Sequence, residues 1–113
     1  MTGDLKARCL ALAGLAPVSA DSSEREFQAE LIAEALRRGW ACYHTFDSRR
    51  SVAGFPDLVM LRAGSLIAAE LKVKKNKTTA AQEAWLSLFG MVPGVRVFRW
   101  RPEDWADIVK ELT

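Results

Sequence analysis

The sequence predicts an α/β domain built on a mixed four-stranded β-sheet flanked by α-helices. Two observations predict it. Stretches with helical spacing alternate with short apolar runs of strand length. Two Ser/Thr-x-x-Glu/Gln boxes, Ser23 to Glu26 and Thr79 to Gln82, mark where two of the helices begin. The resulting order is helix, helix, strand, hairpin, helix, strand, helix, which packs as helices on a central sheet.

Residues 4–15 have helical spacing, with Asp4 as a candidate N-cap and Leu5, Cys9, Leu12 and Leu15 on one side. Pro17 ends that pattern, and residues 1–20 are expected to form an N-terminal helical extension and linker ahead of the domain proper, residues 21–113. After Ser23, the residues Phe27, Leu31, Ala35 and Leu36 follow a helix that Gly39 stops. Trp40 to His44 suits a strand, and the polar stretch 45–56, broken by Gly54 and Pro56, a loop. Leu58–Leu61 and Leu66–Val73 form a hairpin about a turn at Arg62–Ser65. A lysine-rich loop, residues 74–77, leads to the second capped helix, with Trp85, Leu86 and Phe89. Val95–Trp100 is a strand. Pro102 suits the first turn of a last helix, whose Trp105, Ile108, Val109 and Leu112 lie on one face. Trp85, Trp100 and Trp105 are expected in the core, and Glu30 and Glu34 on the wet side of their helix.

At 113 residues, half of them hydrophobic, the chain has the size of one domain with a single core. Its 4 Trp, 5 Phe and 1 Tyr argue against disorder. No apolar run approaches the roughly 18 residues of a membrane helix, and the start has no basic region leading into an apolar stretch, so a cytoplasmic location is expected. Two distant cysteines, Cys9 and Cys42, are expected as thiols, and with His44 the only histidine a zinc site is disfavoured. The net charge of +2 does not by itself indicate nucleic acid. Its distribution is more informative, because Arg49 and Arg50 share one loop while Lys72, Lys74, Lys75 and Lys77 cluster in another. Alone, such clusters could equally be solvated loops.

The chemistry-bearing residues cluster on the hairpin. Glu70 and Lys72 are two apart in a strand and so share a face. If Leu61 pairs with Leu66, counting outward sets Asp57 directly opposite Glu70, with Cβ atoms about 5 Å apart; a one-residue bulge would spoil this. Two carboxylates that close repel unless a cation lies between them, and a hard divalent ion with oxygen ligands fits. Pro56 cannot donate to a ladder, so Asp57 is expected at a sheet margin where a ligand can reach it. A surface network of Asp57, Glu70 and Lys72 is the plain alternative.

The full assembly resembles a known family. The Pro56-Asp57 and Glu70-Leu71-Lys72 arrangement is similar to the PD-(D/E)xK nuclease superfamily. Within it the chain resembles the stand-alone VRR-NUC domains of phage and bacterial type. The resemblance spans residues 23 to about 108. It rests on Ser23-Glu24 with Phe27-Gln28, Gly39-Trp40, His44, Ser48-Arg49-Arg50-Ser51, Gly54 to Leu58, Ala69 to Lys72, Gln82 with Trp85-Leu86, and Trp100-Arg101-Pro102.

That resemblance implies a restriction-endonuclease-like core and a Mg²⁺- or Mn²⁺-dependent endodeoxyribonuclease. Asp57 and Glu70, with the Leu71 carbonyl, would bind the metal, and Lys72 would position or activate the attacking water. A helix glutamate would complete the acidic pocket. Glu24 is favoured because it lies four residues before Gln28, and Glu26 is the rival, with N-terminal capping as its other role. Gln82 would be the family's glutamine, with capping as its alternative. His44, Ser48, Arg49, Arg50, Lys74, Lys75 and Lys77 would meet the nucleic acid, mostly at phosphates. The expected activity is that of a homodimer nicking branched DNA such as Holliday junctions. A flap or general DNA nuclease, and a DNA-binding module that does not cut, are the alternatives.

Overall fold

The structure, a computed structural model, describes residues 19–46 and 49–113. The helix expected over residues 4–15, Cys9 and Ser48 lie outside the described residues. The elements are α1 (Glu24–Arg37), β1 (Ala41–His44), β2 (Leu58–Arg62), β3 (Ser65–Leu71), α2 (Ala80–Gly90), β4 (Val95–Trp100), a 3-10 turn (Pro102–Asp104) and α3 (Trp105–Leu112). Both capping boxes form: Ser23 with Glu26 opens α1 and Thr79 with Gln82 opens α2. Gly39 leaves α1 in the left-handed region, at φ 86°.

The sheet has the order β1-β2-β3-β4. The first three strands form an antiparallel meander, and β4 joins β3 in parallel after the α2 crossover, so the sheet is mixed. The hairpin pairs Leu61 with Leu66, as the turn length required. Arg62 and Ser65 pair as well, which shortens the turn to Ala63-Gly64, at φ 48° and 81°. Two left-handed residues in a two-residue loop match the twist of the flanking strands. Arg62, expected in the turn, instead closes β2. Its guanidinium lies 4.5 Å from the centroid of the Trp40 ring and donates to the carbonyls of Arg38 and Leu112, which ties the chain's last helix to the sheet.

The two faces of the sheet are covered differently. On one, Leu58, Met60, Ile67, Ala69 and Leu71 pack with Phe27 and Leu31 of α1 and Ile108 and Leu112 of α3. The other face carries Ala68 and Glu70, both fully buried, and its covering helix is α2, which reaches Glu70 and Arg99 through its first turn. Trp100 and Trp105 are core residues as expected. Leu36 of α1 is 56% exposed, because that helix turns only its Phe27–Leu31–Ala35 stripe inward. Two expectations are corrected. Glu34 is buried rather than wet, since it stands seven residues after Phe27 and three after Leu31 on that stripe. Arg37 and Arg38 pair with its carboxylate at 3.2 and 3.4 Å. Trp85 is half-exposed and belongs to the clamp described next.

Candidate active site

The loop that delivers Asp57 is held by close backbone contact. Gly54 adopts φ 84°, and a Cβ there would stand 2.5 Å from the backbone carbon of Ala81. Only glycine allows the loop to lie this close to the first turn of α2. Phe55 then packs edge-on against Trp85, with ring centroids 5.2 Å apart, and the Trp85 indole N–H donates to the Ala53 carbonyl at 3.2 Å. Pro56 is buried. Its carbonyl accepts from the Thr45 hydroxyl and the Asp57 carbonyl from the Thr45 N–H. Asp57 is thus one step beyond the Leu58–Ala69 pair, at the sheet margin and opposite Glu70 by count. One of its carboxylate oxygens accepts the Leu71 N–H at 2.8 Å.

Glu70 is fully buried near the C-terminal end of β3. Gln82 donates to its Oε1 at 3.2 Å through its side-chain NH₂, while the Gln82 carbonyl oxygen accepts the Thr79 N–H. Gln82 therefore caps α2 and holds Glu70 at the same time. The other glutamate oxygen, Oε2, is buried and meets no N–H or hydroxyl donor. Lys72, half-buried, continues past Glu70 and its N–H bonds the Trp100 carbonyl. At the start of α1, Glu26 is occupied by the capping box, accepting the Ser23 N–H in the open. Glu24, exposed at the rim, instead couples electrically to Asp57 and Lys72.

The charges interact strongly. Burial first, then the adjacent Asp57 carboxylate as hydrogen-bond partner and as charge, pushes the Glu70 carboxyl up to about 9, against the opposing effect of Lys72. Partial burial and the Asp57 charge also raise Glu24, which Lys72 lowers. The acids crowd one another, and the single lysine does not balance them.

A hard divalent cation fits this set. It would occupy the donor-less side of Glu70 Oε2, offset the Asp57–Glu70 repulsion and take oxygen ligands throughout. In its absence the raised Glu70 carboxyl keeps its proton, which relieves the same repulsion. Among the described residues no cluster of three or more such side chains is close enough to enclose an ion, so water and backbone oxygen would complete the shell.

The residues expected to meet nucleic acid lie in three places. His44 ends β1, where its Nδ1 lies 3.3 Å from the Gln28 amide nitrogen and its ring 4.1 Å from that of Phe46. Arg49 and Arg50 are exposed in the turn that follows. Lys74, Lys75 and Lys77 are exposed on the loop after β3, where Lys74 takes φ 55°. Sequence reasoning passed over Arg99, and took Arg101 only as a motif mark. Yet Arg99 alternates with Phe98 and Trp100 on β4, Arg101 follows directly after the strand, and the parallel register pairs Arg99 with Glu70. With Lys72, Lys77 and Thr78 the two arginines line a cleft of about 370 Å³ beside the acidic pair.

No protein-family model matches the chain, and no curated protein matches it significantly. Among solved structures it is similar to Archaeoglobus fulgidus Hjc, described as a Holliday junction resolvase from an archaeal hyperthermophile. The two share 24% identity and a TM-score of 0.50, over 65% of this chain and 62% of that one. The chain thus matches about three fifths of the length of Hjc, and the likeness establishes the fold as restriction-endonuclease-like.

Proposed function

We propose that the chain is a metal-dependent, structure-selective DNA endonuclease of the VRR-NUC type, a homodimer that nicks branched DNA such as Holliday junctions. One observation carries this reading: Asp57 and Glu70 face each other beside Lys72, with a buried glutamate oxygen that has no donor. The site's position supports it too, since ligands of open α/β sheets bind outside the carboxyl ends of the strands. The likeness to a Holliday junction resolvase favours a branched substrate. A two-fold dimer would offer a junction two matched sites.

Asp57 and Glu70, with the Leu71 carbonyl, would hold Mg²⁺ or Mn²⁺. Such an ion, when bound, polarises a phosphoryl oxygen and lowers the pKa of a water. Lys72 orients the attacking water and offsets the negative charge that grows on the phosphate during in-line attack. The Leu71 N–H and the Gln82 amide hold the two carboxylates in place. Glu24 closes the acidic rim. Hydrolysis would leave a 5′-phosphate and a 3′-hydroxyl.

The test is cleavage of a labelled four-way junction beside a matched duplex, a flap and single strands. It is run with Mg²⁺, with Mn²⁺ and with chelator, for wild type and Lys72→Ala. Metal-dependent paired nicks in the junction, lost in the variant, are expected. A junction cut no better than the duplex would remove the branched-substrate assignment. Intact DNA binding with no cleavage of any substrate would leave a binding module.

A further inference from the structure

The cleft beside the acidic pair is lined by Lys72, Lys77, Thr78, Arg99 and Arg101, four cations and a hydroxyl with no acid among them. Glu83 is the anion bound at its wall. It accepts Nε and Nη2 of Arg99 and the Thr78 hydroxyl, and with Lys72 counted toward the Asp57–Glu70 pair one carboxylate still meets the three positive side chains of Lys77, Arg99 and Arg101. A cleft walled by one sign of charge concentrates the opposite ion.

The cations are also held in place. Arg101 donates from Nη1 to the Lys74 carbonyl and from Nη2 to the Asn76 carbonyl, which ties the loop carrying Lys77 to the end of β4. Glu83 fixes the plane of the Arg99 guanidinium from α2. With those N–H groups committed, each guanidinium offers a phosphate its fixed positive charge and its remaining N–H groups. Arg99 pairs with Glu70 across the parallel ladder, so the backbones beneath the two sites are one strand spacing, about 4.8 Å, apart.

We propose that this cleft is a second phosphate seat, distinct from the scissile position, which takes a phosphate of the bound DNA strand and sets its register over Asp57 and Glu70. The strand as ligand rests on the nuclease reading; the affinity for phosphate does not.

The experiment uses metal-free protein in chelator at constant ionic strength. It is titrated with inorganic phosphate, and with a short oligothymidylate bearing or lacking a 5′-phosphate, while backbone amide and arginine side-chain resonances are followed by NMR. Signals of Thr78, Lys77, Arg99 and Arg101 are expected to shift with the oligothymidylates. Lys77→Gln, in an exposed loop, and Arg99→Gln should each weaken binding several-fold and reduce the salt slope by about one. The oligothymidylate without a terminal phosphate assigns the seat to an internal diester if it matches its phosphorylated twin, and to a strand end if it binds much more weakly. Unmoved signals with every probe, or unchanged affinity in both variants, would overturn the seat. Because no cleavage is read, such a failure is separate from failure of the nuclease reading, which the junction assay decides.

Discussion

Glu70 and Arg99 are neighbours across the parallel β3–β4 ladder, and two consecutive residues of α2 hold them: Gln82 donates to Glu70, and Glu83 accepts from Arg99. The first turn of one helix thus sets the boundary between an acidic centre and a basic cleft. This division of labour makes the roles of the cap and of the proposed metal and phosphate sites separable by mutation.

The Glu70 carboxyl makes metal-free stability depend on pH. Its folded-state value is raised from 4.5 to about 9, so between these limits the folded protein holds a proton that the unfolded chain releases. Stability must then fall as pH rises through this window. A bound divalent cation displaces the proton, so its stabilising effect should grow with pH. Melting curves from pH 5 to 9 with chelator and with Mg²⁺ should diverge toward high pH. Glu70→Gln should flatten the chelator series and abolish the Mg²⁺ effect; parallel curves for wild type would refute the raised, buried Glu70 carboxyl.

Gln82 has two tasks that Thr79 lets one distinguish. Thr79→Ala removes only half of the capping box and should cost about 1 kcal/mol of stability, with cleavage and metal affinity nearly unchanged. Gln82→Ala removes the reciprocal bond and also the donor to Glu70. It should lose similar stability but weaken metal affinity or activity about 10–100-fold, as losses of groups that orient metal ligands do. Urea denaturation and Mg²⁺ titration of cleavage measure both. Equal activity losses in the two variants would mean that Gln82 is a cap and nothing more.

The sheet and its helices were legible because their determinants are local. Both capping boxes act over three residues, and the hairpin register follows from turn length. What stayed hidden depends on partners far apart in sequence. Trp85 was expected in the core from its helical spacing, but its indole reaches Ala53 across the loop. Glu34 is a different case, since its place seven residues after Phe27 and three after Leu31 already put it on the buried stripe, where Arg37 and Arg38 meet it. Arg99 gave no signal in sequence beyond strand alternation, since its meaning comes from Glu83 on the crossover helix and Glu70 on the next strand. Asp57, Glu70 and Lys72 were recognisable as a set, whereas the burial of Glu70 and its donor-less oxygen, which favour the proposed metal site over a surface network, emerge only from packing.

Gly54 and Gly64 share a left-handed backbone, at φ 84° and 81°, and differ in surroundings. A Cβ at Gly64 meets nothing within 4 Å, whereas one at Gly54 collides with the Ala81 backbone. Gly64→Ala should therefore cost only the backbone strain, about 1 kcal/mol. Gly54→Ala should cost more, about 2–4 kcal/mol, because the loop must lift from α2. It should also lower cleavage disproportionately, since Asp57 follows three residues later. Chemical denaturation beside cleavage rates checks both, and equal stability losses would show that the loop adapts freely.

The Glu83–Arg99 pair supplies a pH signature away from the Asp57–Glu70 pair. Hydrogen bonds from Arg99 and then Thr78 hold the Glu83 carboxyl down at about 2, from 4.5. A depressed carboxyl contributes its stabilisation above the unfolded value and loses it as pH falls through the folded one. The contact should therefore persist well below pH 4.5 and break only as pH falls through about 2, while its contribution to stability fades progressively from 4.5 down to that value. The group is exposed, so screening should make the stability effect small and sensitive to salt. Carboxyl carbon NMR should give Glu83 a midpoint near 2 in wild type and a return toward 4.5 in Arg99→Gln. A wild-type midpoint already near 4.5 would mean that Arg99 is not committed to Glu83 in solution, and that α2 is not pinned to β4 through this pair.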